Sequence, residues 1–195
     1  MDKLITIKRN YIPTPNTYCE FVATVEDDNV HRIYHDTQYG FPIESDNELF
    51  GRLVLEINQA GLNWATILKK QENFRIAYQQ FDIQKVASYT EKERERLLND
   101  SGIIRNKLKV NAAIYNAGQI INLQQEFGSF KNWLDINFPM ELDDWIKLFK
   151  QIFKFTGGEI TNEFLISSGY IKGAHEKECA IYDQIIHSKP KWINV

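Results

Sequence analysis

Between Pro42 and Pro139 the chain contains no proline, and the apolar residues of that stretch recur at three- and four-residue intervals. Proline removes a backbone donor and clashes inside a helix, whereas this spacing places apolar side chains on one helical face. The stretch predicts a run of packed helices, and the expected class is all-α. No strand pair with hairpin turn chemistry, internal repeat or low-complexity tract competes with that reading.

Helix signals punctuate the stretch. Ser45 and Glu48 have capping-box spacing ahead of Leu49, Phe50, Leu53, Val54 and Ile57, and predict a helix over 46–60 stopped by Gly61. Asn63 predicts a second helix through Tyr78, Asp82 a short one to Ser88, and Thr90 with Glu93 a third to Leu98. Ser101 and Gly102 precede a long helix from Asn106 to Glu126, which Gly128 ends. Further helices are expected over 142–153, 159–168 and 176–186. Residues 1–18, with Pro13 and Pro15, read as an extended arm of little function, 19–187 as one domain, and 188–195 as a tail.

With 195 residues, 43% of them hydrophobic, the chain can bury one sizeable core and is not of disordered composition. Its net charge of −3 excludes a globally basic nucleic-acid coat. The charge is uneven, however: residues 19–58 hold two basic and nine acidic side chains, and 65–110 hold ten basic and six acidic. The second segment is the one suited to a polyanion. Two cysteines are too few for a disulfide scaffold and point to a reducing compartment. Without a signal-like or membrane-length apolar run, a soluble, cytoplasmic protein that does not engage membranes is expected, and a monomer is the default.

Four constellations carry potential chemistry. In LLNDSGIIRNKLKV at 97–110, a glycine turn opens onto a helix whose first amides are unpaired, a geometry that can hold a phosphate. Arg105, Lys107 and Lys109 add positive charge there, although any helical bundle also needs turns. Glu56 falls at the edge of the apolar face of the 46–60 helix, as a boundary residue or as a partly desolvated charge kept for a purpose. Tyr34, Tyr39, Phe41 and Trp64 flank it in sequence, and aromatic walls around a carboxylate suit a flat cation, though each could be an ordinary core residue. Cys19, His35, His175 and Cys179 could complete a tetrahedral, closed metal site; His175 and Cys179, four apart, share a face if that segment is helical.

Taken together these residues resemble the DNA-3-methyladenine glycosylases of the first bacterial type, within the helix-hairpin-helix glycosylase superfamily. The likeness runs from about Cys19 to Tyr182 and rests on YHD at 34–36, LEINQAGLNWATILKKQENF at 55–74, SGIIRNKLKV at 101–110, FKFTG at 153–157 and HEKEC at 175–179. It implies a compact helical bundle whose termini are tied by one structural zinc held by Cys19, His35, His175 and Cys179. It implies that Glu56 stays ionised and contacts the methylated base, with Trp64 stacking on it and Tyr34 at its edge.

The remaining pocket positions depart from the family pattern, with His31 and Phe21 where aromatic and Trp residues are expected, and QYG, containing Tyr39, in place of EWG. By the same resemblance the loop of Gln59, Gly61 and Leu62 presses into the duplex, and the hairpin with Gly102, Ile103, Arg105 and Lys107 anchors DNA. The implied reaction is hydrolytic release of free 3-methyladenine from alkylated double-stranded DNA. No Asp stands in INLQQEFGSF at 121–130, where related glycosylases place one, and no lysine is placed for Schiff-base chemistry, so lyase activity is not expected. The competing readings are a non-catalytic lesion-binding homologue and a zinc-stabilised protein-interaction module.

Overall fold

A computed structural model describes residues 15–194, and every regular element among them is helical. In chain order these are α1 (Tyr18–Val22), α2 (Val30–Thr37), α3 (Asp46–Gln59), α4 (Trp64–Leu68), α5 (Gln71–Ala77), α6 (Ile83–Ala87) and α7 (Glu91–Asn99). They are followed by α8 (Lys107–Phe127), α9 (Phe130–Asn137), α10 (Leu142–Ile152), α11 (Gly158–Ser167) and α12 (Tyr182–His187), with short 3-10 turns at Gln79–Phe81 and Lys191–Asn194. The all-α expectation holds. The arm at 1–14 lies outside the described residues.

The core forms around α3, whose Leu49, Phe50, Leu53, Val54 and Ile57 are all buried. α8 packs against α6, α7 and α9, and α10 against α11. Phe130, Trp133, Trp145, Phe149, Phe153 and Phe164 fill the space between these last helices with edge-on and offset rings. Such aromatic pairs combine large apolar burial with favourable ring geometry.

Predicted starts match observed caps at Asn63, Asp82 and Asn106, whose side chains accept from backbone amides of α4, α6 and α8. The box at Ser45 does not form, because the Glu48 carboxylate is held by both Nη atoms of Arg75 at 2.7 Å. A bidentate charge-assisted pair outcompetes a cap on a neutral amide. The helix expected from Asn63 to Tyr78 is interrupted at Lys69 and Lys70, where Lys70 Nζ reaches the carbonyls of Ser101 and Gly102 at 2.9 and 3.1 Å. The helix expected over 176–186 begins only at Tyr182, because the preceding turns direct His175 and Cys179 toward the N-terminal helices. α1, α2 and α9 were not foreseen.

The ends of the described chain are integral to the fold. Tyr18, assigned by sequence to the arm, opens α1. In the supposed tail, Pro190 is buried and Lys191 Nζ pairs with Asp135 at 3.1 Å.

Candidate active site

Helix α3 delivers Glu56 to the floor of a cavity of about 380 Å³, a volume suited to a small flat ligand. Its walls are Tyr18 from α1, Tyr34 from α2, Tyr39 beyond it, Gln59 at the end of α3, Trp64 at the start of α4, and Glu159, Ile160 and Glu163 from α11. Tyr34 is buried and central: its ring lies 5.2 Å from Trp64, edge-on, and 5.5 Å from Tyr39. Tyr18 stands edge-on to Tyr39 at 5.6 Å. The aromatic convergence expected around Glu56 is therefore present for Tyr34, Tyr39 and Trp64.

Glu56 is only 5% exposed, and Ser167 Oγ donates to it at 3.4 Å. Burial pushes its carboxyl up to about 8; the Arg52 guanidinium opposes that shift and Glu163 adds to it. Burial thus favours the neutral form of Glu56, against which any ionisation of this carboxyl must work. Arg52, itself buried, donates to Tyr34 Oη at 3.0 Å and to the Ser167 carbonyl at 3.1 Å, locking α3 to both α2 and α11.

His31 and Phe21 do not line the cavity. They form a layer behind Tyr18: Tyr18 Oη is 3.0 Å from His31 Nδ1, and the Phe21 and His31 rings meet edge-on at 5.1 Å. Their predicted contact with a base is replaced by support of Tyr18. Tyr18, Glu159, Ile160 and Glu163 were missed, since neither an arm residue nor a helix one hundred residues away carries a local signal for the pocket.

The metal-ligand set does converge. Donor atoms of Cys19, His35, His175 and Cys179 all lie within 4.8 Å of one another. His35 Nε2 is 3.4 Å from Cys19 Sγ and 3.6 Å from Cys179 Sγ, while His175 Nδ1 is 3.4 Å from Cys179 Sγ and 4.0 Å from Cys19 Sγ. A tetrahedral ion with ordinary sulfur and nitrogen bond lengths requires about 3.6 Å between such donors. The free ring nitrogens are also oriented, with His35 Nδ1 2.6 Å from Asp36 and His175 Nε2 2.8 Å from the Tyr39 carbonyl. This second contact braces the pocket wall. Gly40, at φ +79°, permits the approach, because a β-carbon there would meet Ala174 at 2.5 Å.

α7 and α8 flank the glycine turn. Gly102 N–H is held by Asp100 Oδ1 at 2.7 Å, Ile103 N–H donates to the Asp100 carbonyl at 3.4 Å, and Asn106 Oδ1 accepts from the Leu108 and Lys109 amides of α8, so these amides, expected to be unpaired, are engaged. Arg105 and Lys107 are exposed and Ile103 is buried. Lys109 is not part of that positive surface: it points inward. Gly61, at φ +78°, turns the loop that exposes Leu62, while Gln59 reaches back to the Leu62 carbonyl at 3.2 Å as well as lining the pocket. Glu126 lies exposed on α8 and does not line the cavity.

The methyladenine glycosylase family model matches residues 24–141, a span that includes Tyr34, Tyr39, Glu56, Trp64 and the hairpin. The chain is 33% identical over 177 residues to DNA-3-methyladenine glycosylase 1 of Escherichia coli, covering 81% of this chain and 94% of that protein. A solved 3-methyladenine DNA glycosylase I superposes with a TM-score of 0.71 at 33% identity, covering 80% of this chain and 96% of the other. The enzyme from Staphylococcus aureus, solved for its recognition of 3-methyladenine, gives 0.72 at 30% identity, with 80% and 93% covered. Sequence, fold and pocket agree, and the chain belongs to the methyladenine glycosylase family of DNA glycosylase enzymes.

Proposed function

We propose that this enzyme flips 3-methyladenine out of alkylated duplex DNA and releases it by hydrolysis, leaving an abasic site without cutting the strand. The observation that carries the reading is the placement of Glu56 at the floor of a pocket walled by Tyr34, Tyr39 and Trp64. Methylation at N3 makes the attached base cationic. Aromatic faces and a carboxylate attract such a base more than neutral adenine. Burial raises the Glu56 pKa, and a cationic base beside it favours the ionised form, because a nearby opposite charge stabilises the carboxylate.

The chemistry needs little acid help, since the leaving base already carries the charge. As the C1′–N9 bond breaks, its electron pair stays with the base, which departs neutral. Water supplies oxygen to C1′ and its spare proton passes to solvent. Among the described residues no lysine lines the pocket, which supports hydrolysis without a Schiff base. The turn at 101–106 with Arg105 and Lys107 grips the phosphate backbone, and Leu62 enters the space vacated by the flipped base. Cys19, His35, His175 and Cys179 would hold a zinc ion, whose role with four protein donors would be structural. The protein acts as a monomer.

Chromatography of bases released from methylated duplex DNA tests the reading. Free 3-methyladenine with intact strands is expected; strand scission, or no release from folded protein that still binds DNA, overturns it.

A further inference from the structure

The base pocket holds more acidic side chains than Glu56 alone. Its walls bring carboxyl groups from Glu56, Glu159 and Glu163, and among the described residues no Lys, Arg or His lines it. The nearby cation, Arg52, stands behind the wall, engaged by Tyr34 and Ser167. Glu159 is exposed at the rim, whereas Glu163 is half-buried one helical turn further along α11. Tyr39 Oη donates to Glu163 Oε2 at 3.3 Å, fixing that carboxylate against the aromatic wall.

We propose that Glu163 is a specificity-determining residue, a second anionic contact that, with Glu56, restricts the pocket to cationic bases. The inference rests on the glycosylase reading above. Aromatic walls stack on neutral adenine as well as on its methylated cation, so stacking by itself separates the two poorly. A carboxylate separates them by charge, and a second one inside the same partly desolvated space multiplies the discrimination. Both carboxyls are raised by burial, and each adds to or feels the charge of an acidic neighbour. A cation is the ligand that relieves this crowding. Once the glycosidic electron pair has neutralised the base, the attraction disappears and the product is free to leave.

Two variants separate charge from positioning. Glu163→Gln keeps the size and can still accept from Tyr39, but removes the charge; Tyr39→Phe keeps the charge and removes the hydrogen bond. Each is assayed by single-turnover release of 3-methyladenine, and by affinity for a duplex carrying 3-methyl-3-deazaadenine, a neutral isostere. Glu163→Gln is expected to slow excision at least about tenfold while leaving affinity for the isostere unchanged, with a smaller effect from Tyr39→Phe. Release at the wild-type rate by Glu163→Gln overturns the inference, as do parallel losses of excision and isostere affinity in both variants, which would make Glu163 a support for Tyr39. Failure of the wild-type enzyme itself to release 3-methyladenine overturns the glycosylase reading and this inference with it.

Discussion

Lys109 Nζ lies 2.7 Å from the carbonyl oxygen of Ala60 and 2.9 Å from that of Asn58. A lysine in the first turn of α8 thereby caps the C-terminal end of α3, where carbonyls lack helical partners. It is 6% exposed, and burial lowers its pKa. Through it, the turn at 101–106 is tied to the loop that carries Gly61 and Leu62, immediately after the helix bearing Glu56.

Lys109→Met preserves the apolar stem but leaves those carbonyls without their donor. A loss of roughly 1 to 3 kcal/mol in denaturant unfolding is expected. Excision should fall further than duplex binding, because the turn retains Arg105 and Lys107. Unchanged stability would show that the cap is replaced by solvent.

Glu56 binds its proton more tightly in the folded state, with a carboxyl near about 4.3 when unfolded and about 8 when folded. The folded state therefore takes up the extra proton between these values, and stability falls as pH rises across that window. Glu56→Gln should gain on the order of 2 to 4 kcal/mol over wild type at pH 9 and little at pH 4. Urea unfolding at the two pH values checks this, and an equal difference at both would contradict it. The same variant should lower excision while retaining DNA affinity.

Removal of metal should loosen three segments together, since Cys19, His35 and the 175–179 turn share donors. Chelation is expected to release one zinc per chain and to cost at least about 2 kcal/mol, or roughly 5 °C in Tm. Elemental analysis with thermal unfolding before and after chelation measures both. Tyr39 fluorescence or excision should respond as well, because His175 is bonded to the Tyr39 carbonyl.

Arg105→Ala should weaken binding to damaged and undamaged duplexes alike and reduce the slope of log affinity against log salt by roughly 1. Titrations across salt concentrations provide the readout. A change confined to lesion preference would remove Arg105 from the phosphate contacts.

Helix class, the α3 and α8 spans, and the caps at Asn63, Asp82 and Asn106 were legible because they depend on neighbours within one or two turns. The convergence of Tyr34, Glu56 and Trp64, and of the four metal donors, was reached through family resemblance, since no local spacing specifies contacts between such distant segments. The misplacements share a cause. Ser45 and Glu48 fit a capping box until Arg75 arrives from α5, and Lys109 belongs to a basic run until the end of α3 presents its carbonyls. Likewise, His31 stands three residues before YHD and Phe21 two after Cys19, but both lie behind Tyr18 in space.

Local backbone preference and apolar periodicity were enough to make this chain a helical bundle and to mark a carboxylate on the edge of a buried face. Packing alone brought Glu163 and Tyr18 to that carboxylate, turned Lys109 inward and raised the Glu56 pKa. Those outcomes depend on desolvation and on side chains contributed by distant helices, whose effects act through space and leave no periodic trace along the chain.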